Sequence, residues 1–267
     1  MIKKNVLNTL KKISHNLNSY RNDILINLVY HRILKKPPAY NYFGTVISEE
    51  TFISQIRYLK NNYDCYFSQD LNKKRKRFLI TFDDGYIDNL EIVIPILLRF
   101  KIRAIFFIPT YFIDNEDLIW DYKLFLALKD KNKEISYDLD GRTYVYKLHT
   151  NNYMDYIQSF IIFLKNQNFV NFKNINHQLI EKFDLKFDDY TSNRCLNTKE
   201  LVDISQMGME IGSHSVKHFN LSKLDDYNLN NELINSKEKI ENITNKKCRY
   251  IAIPFGSKND YNNIINN

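Results

Sequence analysis

The chain of 267 residues predicts an α/β fold of parallel βα units with the helices outside, arranged as a distorted, incomplete (β/α) barrel with an inserted helix and hairpin subdomain. Three observations predict it. Short apolar, strand-like runs alternate with amphipathic helical stretches. Polar clusters stand where several of those runs stop. The alternation breaks over about residues 111–197 and then resumes.

In chain order, Val6, Leu7, Leu10, Ile13 and Leu17 follow helical spacing with Lys3, Lys4, Lys11 and Lys12 between them, so residues 1–23 form an N-terminal helical segment. A helix of this kind ordinarily packs on its own domain; its basic face is also suited to peripheral contact with a membrane. The run "ILINLVYHRI" (24–33) is apolar and ends in Tyr30, His31 and Arg32. "SEETFISQIRYLKNN" (48–62) opens on Ser48 and Thr51, either able to cap a helix, and sets Phe52, Ile56 and Leu59 on one face. "YDCYFS" (63–68) and "FLITFDDG" (78–85) predict strands, "YIDNLEIVIPILLRF" (86–100) a helix kinked at Pro95, and "IRAIFFIPT" (102–110) another strand.

Within the interruption, "IWDYKLFLALKD" and "MDYIQSFIIFLKNQ" have helical patterns, and Asp140-Gly141 joins two β-rich arms as a hairpin. The βα rhythm returns with "NTKELVDISQMG" (helix), "MEIGSHS" (strand end), "LNNELINSKEKIENITN" (helix) and "YIAIPFG" (strand end). Only eleven residues follow, fewer than the further βα unit that such a domain needs to close, so a C-terminally truncated domain is expected.

Composition narrows the function classes. Hydrophobic content of 44% and aromatic content of 14% belong to a globular chain rather than a disordered one. The net charge of +7 would suit an anionic partner, yet the one sharp basic run is 73–77, and a nucleic-acid groove needs more such clusters interleaved with aromatics. No nucleic-acid partner is therefore expected. Cys65, Cys195 and Cys248 fit neither a disulfide frame nor a zinc motif. The N-terminus lacks the apolar core of a secretory signal, and Arg99, Lys101 and Arg103 cut the apolar stretch 92–113. A cytoplasmic location is expected, with membrane contact through the basic helix left open.

Parallel α/β sheets carry their chemistry at the carboxyl ends of the strands. "TFDDG" and "YHRI" both stand there, and "GSHSVKH" places His214 and His218 four residues apart after another strand. In a helical turn, residues at that spacing share a face. If the strand ends meet on one rim, Asp83 or Asp84 joins the two imidazoles. One carboxylate with two histidines makes a catalytic zinc set, and the other carboxylate stays free as a base. The plain alternatives are a polar turn for the acidic pair and an incidental histidine pair.

In this order, "TFDDG" (81–85), "HSVKH" (214–218) and "AIPFG" (252–256) resemble the first three motifs of the NodB-like polysaccharide deacetylases, carbohydrate esterase family 4. "VYHRI", "SEETFISQIRYLKNNY", "PILLRFKIRAIFFI" and "GMEIGSHSVKHFNLSKL" resemble the poly-N-acetylglucosamine and surface-polysaccharide branch of that family, over about residues 25–115 and 195–256. "IWDYKLFLAL" is similar to a tryptophan-containing helix common in the branch. The resemblance implies a deacetylase domain over residues 24–267, with the insertion at about 111–197. It implies a divalent metal, zinc foremost, held by Asp84, His214 and His218, with Asp83 as general base. The implied reaction removes N-acetyl groups from an N-acetylated saccharide of a surface polysaccharide or its precursor. Tyr86, Pro254 and Phe255 are expected at the substrate groove.

Two departures stand out. Many members take the general acid from a C-terminal histidine motif that this chain does not reach; in the branch named, the acid comes from a "YH" at the end of the first strand, which His31 matches. Ala252 stands where the best-known form of the third motif carries an arginine that orients the base. Rival functions are a catalytically inactive carbohydrate-binding relative or fragment, a nucleic-acid binder using 73–77, and hydrolysis of a smaller amide. Trp120 is expected in the core, and His15, His149 and His177 have no assigned partner.

Overall fold

The computed structural model describes residues 25–67, 76–115, 117–129, 134–147, 152–183 and 192–260. The expected N-terminal helix, His15, His149 and residues 73–75 of the basic run lie outside them.

Strands β1 (Leu25–Tyr30), β5 (Arg77–Phe82), β6 (Ile105–Ile108) and β9 (Glu210–Ser213) lie side by side in that order, all parallel, with the short β4 (Asp64–Cys65) paired to the start of β5. All four residues of β6 are buried. A parallel strand covered on both faces requires such a run. Phe82 stacks on Phe106 with ring centroids 5.1 Å apart, and Tyr30 stacks on Phe82 at 5.4 Å. A small separate pair, β2 (Arg32–Leu34) and β3 (Val46–Ser48), continues from the end of β1.

The fold is therefore α/β with a parallel sheet, and among the described residues the sheet is open. Beyond β9 the expected strand at 250–256 is reduced to one parallel bridge, Ser213 to Ile251. The segment has β9 on one side and no described strand on the other to extend the ladder.

The helices form where the sequence places their caps. Ser48 accepts the Thr51 N–H to open α1 (Glu49–Asn62), whose Phe52, Ile56 and Leu59 are buried. The kink expected at Pro95 is a change of helix type. A π-helical turn (Asn89–Val93) runs into α2 (Ile94–Phe100), and Pro95, which lacks an N–H, stands just where the helix type changes. Helix α6 (Thr198–Gln206) begins with a reciprocal capping box between Asn197 and Glu200, and α7 (Asp226–Thr244) with Asp225 as cap.

Residues 120–182 build a second hydrophobic core. It contains α3 (Trp120–Leu128), a hairpin of β7 (Ile135–Leu139) and β8 (Arg142–Tyr146), α4 (Tyr153–Lys165) and α5 (Phe169–Lys182). Asp140 and Gly141 take φ of 52° and 73° at the hairpin tip, the left-handed pair that a two-residue turn needs. Sequence patterning left α5 unassigned, although Asn168 caps it and Phe172, Ile175 and Leu179 are its buried face. Burying each such side chain contributes about 1.5–3 kcal/mol. The first core lies between the parallel sheet and helices α1, α2, α6 and α7.

One glycine decides how the chain closes over the sheet. A Cβ on Gly212 would stand 2.6 Å from the Phe107 ring and 3.0 Å from the Tyr250 carbonyl oxygen. Its absence lets residues 250–252 lie against β9, where Ser213 donates to the Tyr250 carbonyl and Ala252 donates to the Ser213 carbonyl, each at 2.9 Å.

Candidate active site on the carboxyl rim of the sheet

Strand register assembles the site. Tyr30 pairs with Phe82 and Ile108 with Ser213, so the residues that follow, His31, Asp83, Asp84 and His214, emerge on one rim. The Asp83 N–H donates to the Tyr30 carbonyl at 2.9 Å, and the His214 N–H to the Ile108 carbonyl at 3.0 Å, extending the ladder into the site. His31, Asp83, Asp84, His214 and His218 all line one cavity of about 620 Å³. That size lies within the range of small-molecule sites.

The two histidines converge through a loop rather than a helical turn. Residues 214–220 have no helical structure, and Ser215 and His218 take left-handed φ of 64° and 59°. Buried Glu232 on α7 holds that loop by accepting the Val216 and Lys217 N–H groups at 2.8 and 2.9 Å, and Ser215 Oγ accepts the His218 N–H at 3.1 Å. Asp84 is itself left-handed, at φ 72°. Bulky residues adopt this conformation only where their surroundings over-determine it, which is a common feature of functional sites.

Asp84, His214 and His218 are buried, and their ligand atoms lie within 4.8 Å of one another. The Nε2 atoms of both histidines stand 3.5 Å from Asp84 Oδ1. That oxygen is buried without a hydrogen-bond partner. His214 Nδ1 is 2.8 Å from the Ala252 carbonyl, which accepts the Nδ1–H hydrogen bond and turns the Nε2 lone pair toward Asp84. A carboxylate oxygen and two imidazole nitrogens around an unsatisfied buried anion fit a divalent cation of the zinc type.

The charges have been forced together. Burial alone would raise the Asp84 carboxyl, but the close approach of His214 and the charges of His31 and His218 hold it below the ordinary carboxylate range. Burial alone would lower His214, yet the close approach of Asp84 and the charges of Asp83 and Asp84 push it up to about 9. Asp83 behaves oppositely to its neighbour: burial raises its carboxyl above the ordinary value, against the opposing charges of His214 and His31. The adjacent carboxylates thus have different environments: both keep a buried Oδ1 without a hydrogen-bond partner, but only that of Asp84 is turned to the two histidines.

Among the expected groove residues, Tyr86 and Phe255 line the cavity, while Pro254 is buried and does not. Tyr86 is 4% exposed and stacks under the Arg32 guanidinium, 4.6 Å from ring centroid to guanidinium carbon. Trp120 is buried, as expected, and its indole also donates to the His218 carbonyl at 2.8 Å. Sequence reasoning missed Asp121 beside it, and Tyr42, Phe43, Thr45, Ile161, Ile162 and Lys165, which line the same cavity. Asp121 had a weak signal, as an acid in an otherwise apolar helix start; the others had none. His177 is exposed and pairs with Glu181 at 3.3 Å, away from the cavity. Cys65, Cys195 and Cys248 are free thiols.

The chain is thus an α/β protein with a carboxylate and histidine centre, fit for a metal, on the carboxyl rim of a parallel sheet. Residues 70–266 match the polysaccharide deacetylase family, and the chain belongs to that family. A polysaccharide deacetylase from Bacillus cereus has the same fold, with a TM-score of 0.52 and 20% identity over 87% of this chain and 51% of that one. This chain accordingly spans about half the length of that protein. A Streptococcus pyogenes deacetylase, solved in complex with acetate, has a TM-score of 0.51 and 16% identity over 89% of this chain and 77% of its own. No curated protein sequence matches the chain.

Proposed function

We propose that the protein is a metal-dependent carbohydrate N-deacetylase, acting on an N-acetylated sugar of a surface polysaccharide or its precursor. The observation that carries the proposal is the division between adjacent carboxylates, Asp84 turned to His214 and His218 and Asp83 left over beside His31. Asp84, His214 and His218 would hold the metal, with zinc the ion best suited to the set. Such an ion supplies acidity to a water and polarises the acetamide carbonyl.

The chain's own groups supply the proton transfers. Asp83, its carboxyl raised by burial, takes a proton from the attacking water. His31 lies across the strand register from Asp83 and faces the same cavity, so it can deliver a proton to the departing amine. An amine leaves as a neutral molecule only when protonated. Tyr86 and Phe255 give the sugar an apolar and aromatic wall.

The test is acetate release from N-acetylglucosamine oligomers by the purified, zinc-loaded protein, beside Asp83→Asn, His31→Ala and His214→Ala variants and a chelated sample. Asp83→Asn and His214→Ala are expected to lose about 10²-fold or more in rate while staying folded, and chelation to silence the enzyme reversibly. Undiminished turnover in either variant, or in the chelated protein, would falsify the assignment. Sugar binding without turnover would instead favour an inactive carbohydrate-binding relative.

A further inference from the structure

Helix α3 opens on two residues, Trp120 and Asp121, that both face His218. The indole Nε1 of Trp120 donates to the His218 backbone carbonyl at 2.8 Å. Asp121 Oδ1 stands 3.6 Å from His218 Nδ1, and each of those atoms is buried with no hydrogen-bond partner. The other oxygen, Asp121 Oδ2, accepts the Tyr42 hydroxyl at 2.9 Å, and Tyr42 is itself buried. Two facing, buried, unsatisfied polar atoms are costly unless they are brought together.

We infer that Asp121 is the positioning residue for His218: its carboxylate takes the Nδ1–H of that ring and turns the Nε2 lone pair onto the cation held with Asp84 and His214. The inference rests on the metal reading of that triad. His214 has the Ala252 carbonyl for this purpose; His218 has Asp121. The geometry also explains why the tie is needed. His218 holds a left-handed φ of 59°, and Trp120 and Ser215 restrain its carbonyl and its N–H by hydrogen bonds, which leaves the ring for Asp121, 3.6 Å away, to hold. Tyr42 keeps the second carboxylate oxygen occupied, so that Asp121 faces His218 in one rotamer. The 120–182 core thereby reaches into the sheet-borne site: its first helix orients a ligand that the sheet side supplies.

The test measures zinc affinity by chelator competition, the absorption spectrum of the cobalt-substituted protein, and the melting temperature of the metal-free chain. Loss of a carboxylate behind a ligating histidine weakens metal binding by about 10–100-fold. Asp121→Asn is therefore expected to lose that much zinc affinity and to change the cobalt spectrum. Its metal-free melting temperature should stay close to that of the parent. Tyr42→Phe, which frees the carboxylate without removing it, should show a smaller loss of affinity in the same direction. Zinc affinity within about twofold of the parent in both variants overturns the inference. So does a lowered melting temperature with an unaltered cobalt spectrum, the mark of a purely structural role. If Asp121→Asn does not fold, Tyr42→Phe decides by the same two criteria. His214→Ala separates the two levels. Retained zinc affinity in that variant removes the metal site and this inference together. Loss there with full affinity in Asp121→Asn removes only the role of Asp121.

Discussion

Replacing Asp88 by Ala would uncover a buried cation directly behind the site. Arg32 and Asp88 have side chains only 3% and 4% exposed, with Arg32 Nε 2.8 Å from Asp88 Oδ1. Arg32 also donates to Asn193, to the Tyr122 hydroxyl at 3.2 Å and to the Ser192 carbonyl at 3.2 Å, while Asp88 Oδ2 accepts the Ile33 N–H at 3.0 Å. Removing the carboxylate strands both the guanidinium and that N–H. Breaking a buried pair costs about 3–5 kcal/mol, and the bonds Arg32 retains keep the total within that range. The pair is not itself a large gain. Burial holds the Asp88 carboxyl above its ordinary value even with Arg32 beside it, whereas, against burial, the Asp88 charge holds Arg32 above its own, so desolvation and attraction nearly offset one another across the pair. An apolar double replacement, Arg32→Met with Asp88→Leu, should therefore cost less than Asp88→Ala alone. Equilibrium urea unfolding, compared at constant m, reads both. A loss below about 1 kcal/mol in Asp88→Ala, or a double variant less stable than the single one, refutes the reasoning. Because the Asn89 amide on the same turn holds the His31 carbonyl at 3.0 Å, turnover should fall along with stability.

Gly212→Ala should destabilise by about 1–3 kcal/mol, since the added methyl meets the Phe107 ring and the Tyr250 carbonyl, and it should weaken zinc binding by moving Ala252 off His214. Denaturant titration with and without zinc separates the two effects; an unchanged midpoint in both would count against the close-approach argument. Burial would raise the Glu200 carboxyl, but the Arg194 hydrogen bond, the Asn197 N–H and the Arg194 charge hold it below its ordinary range. Its folded pKa is thus below the unfolded one, so its contribution is full above the unfolded pKa and is lost as pH falls through the folded one. Glu200→Gln should flatten that part of the acid-side stability curve, and a curve parallel to that of the parent would contradict the capping-box account.

Much of the sheet and helix pattern was legible in the chain because its causes are local. The apolar run 105–108, the Ser48 and Asn197 caps, and the Asp140-Gly141 turn each act within a few residues. The candidate ligands were legible too, since carboxylates and imidazoles at strand ends are unusual enough to mark a site. Where local cause gave out, expectation and structure parted. Helix α5 passed unnoticed, Pro95 sits at a change of helix type, and the strand expected at 250–256 is a single bridge, because a strand exists only by what pairs with it.

By itself, then, the sequence determined which groups this protein has for chemistry and which short segments present them. Residue type and spacing left Asp83 and Asp84 interchangeable and the family resemblance pointed to Asp84; the tertiary structure turns Asp84 to both histidines and sets His31 beside Asp83. It alone brought Trp120 and Asp121 to His218, and Tyr42 to Asp121, across gaps of 79 to 98 residues, through hydrogen bonds and close contacts that no local pattern encodes. The physical reason is one of range. Propensity and periodicity act over a few residues, whereas the burial that tunes a carboxylate and the partner that orients an imidazole come from whichever distant segments the packed core brings into contact.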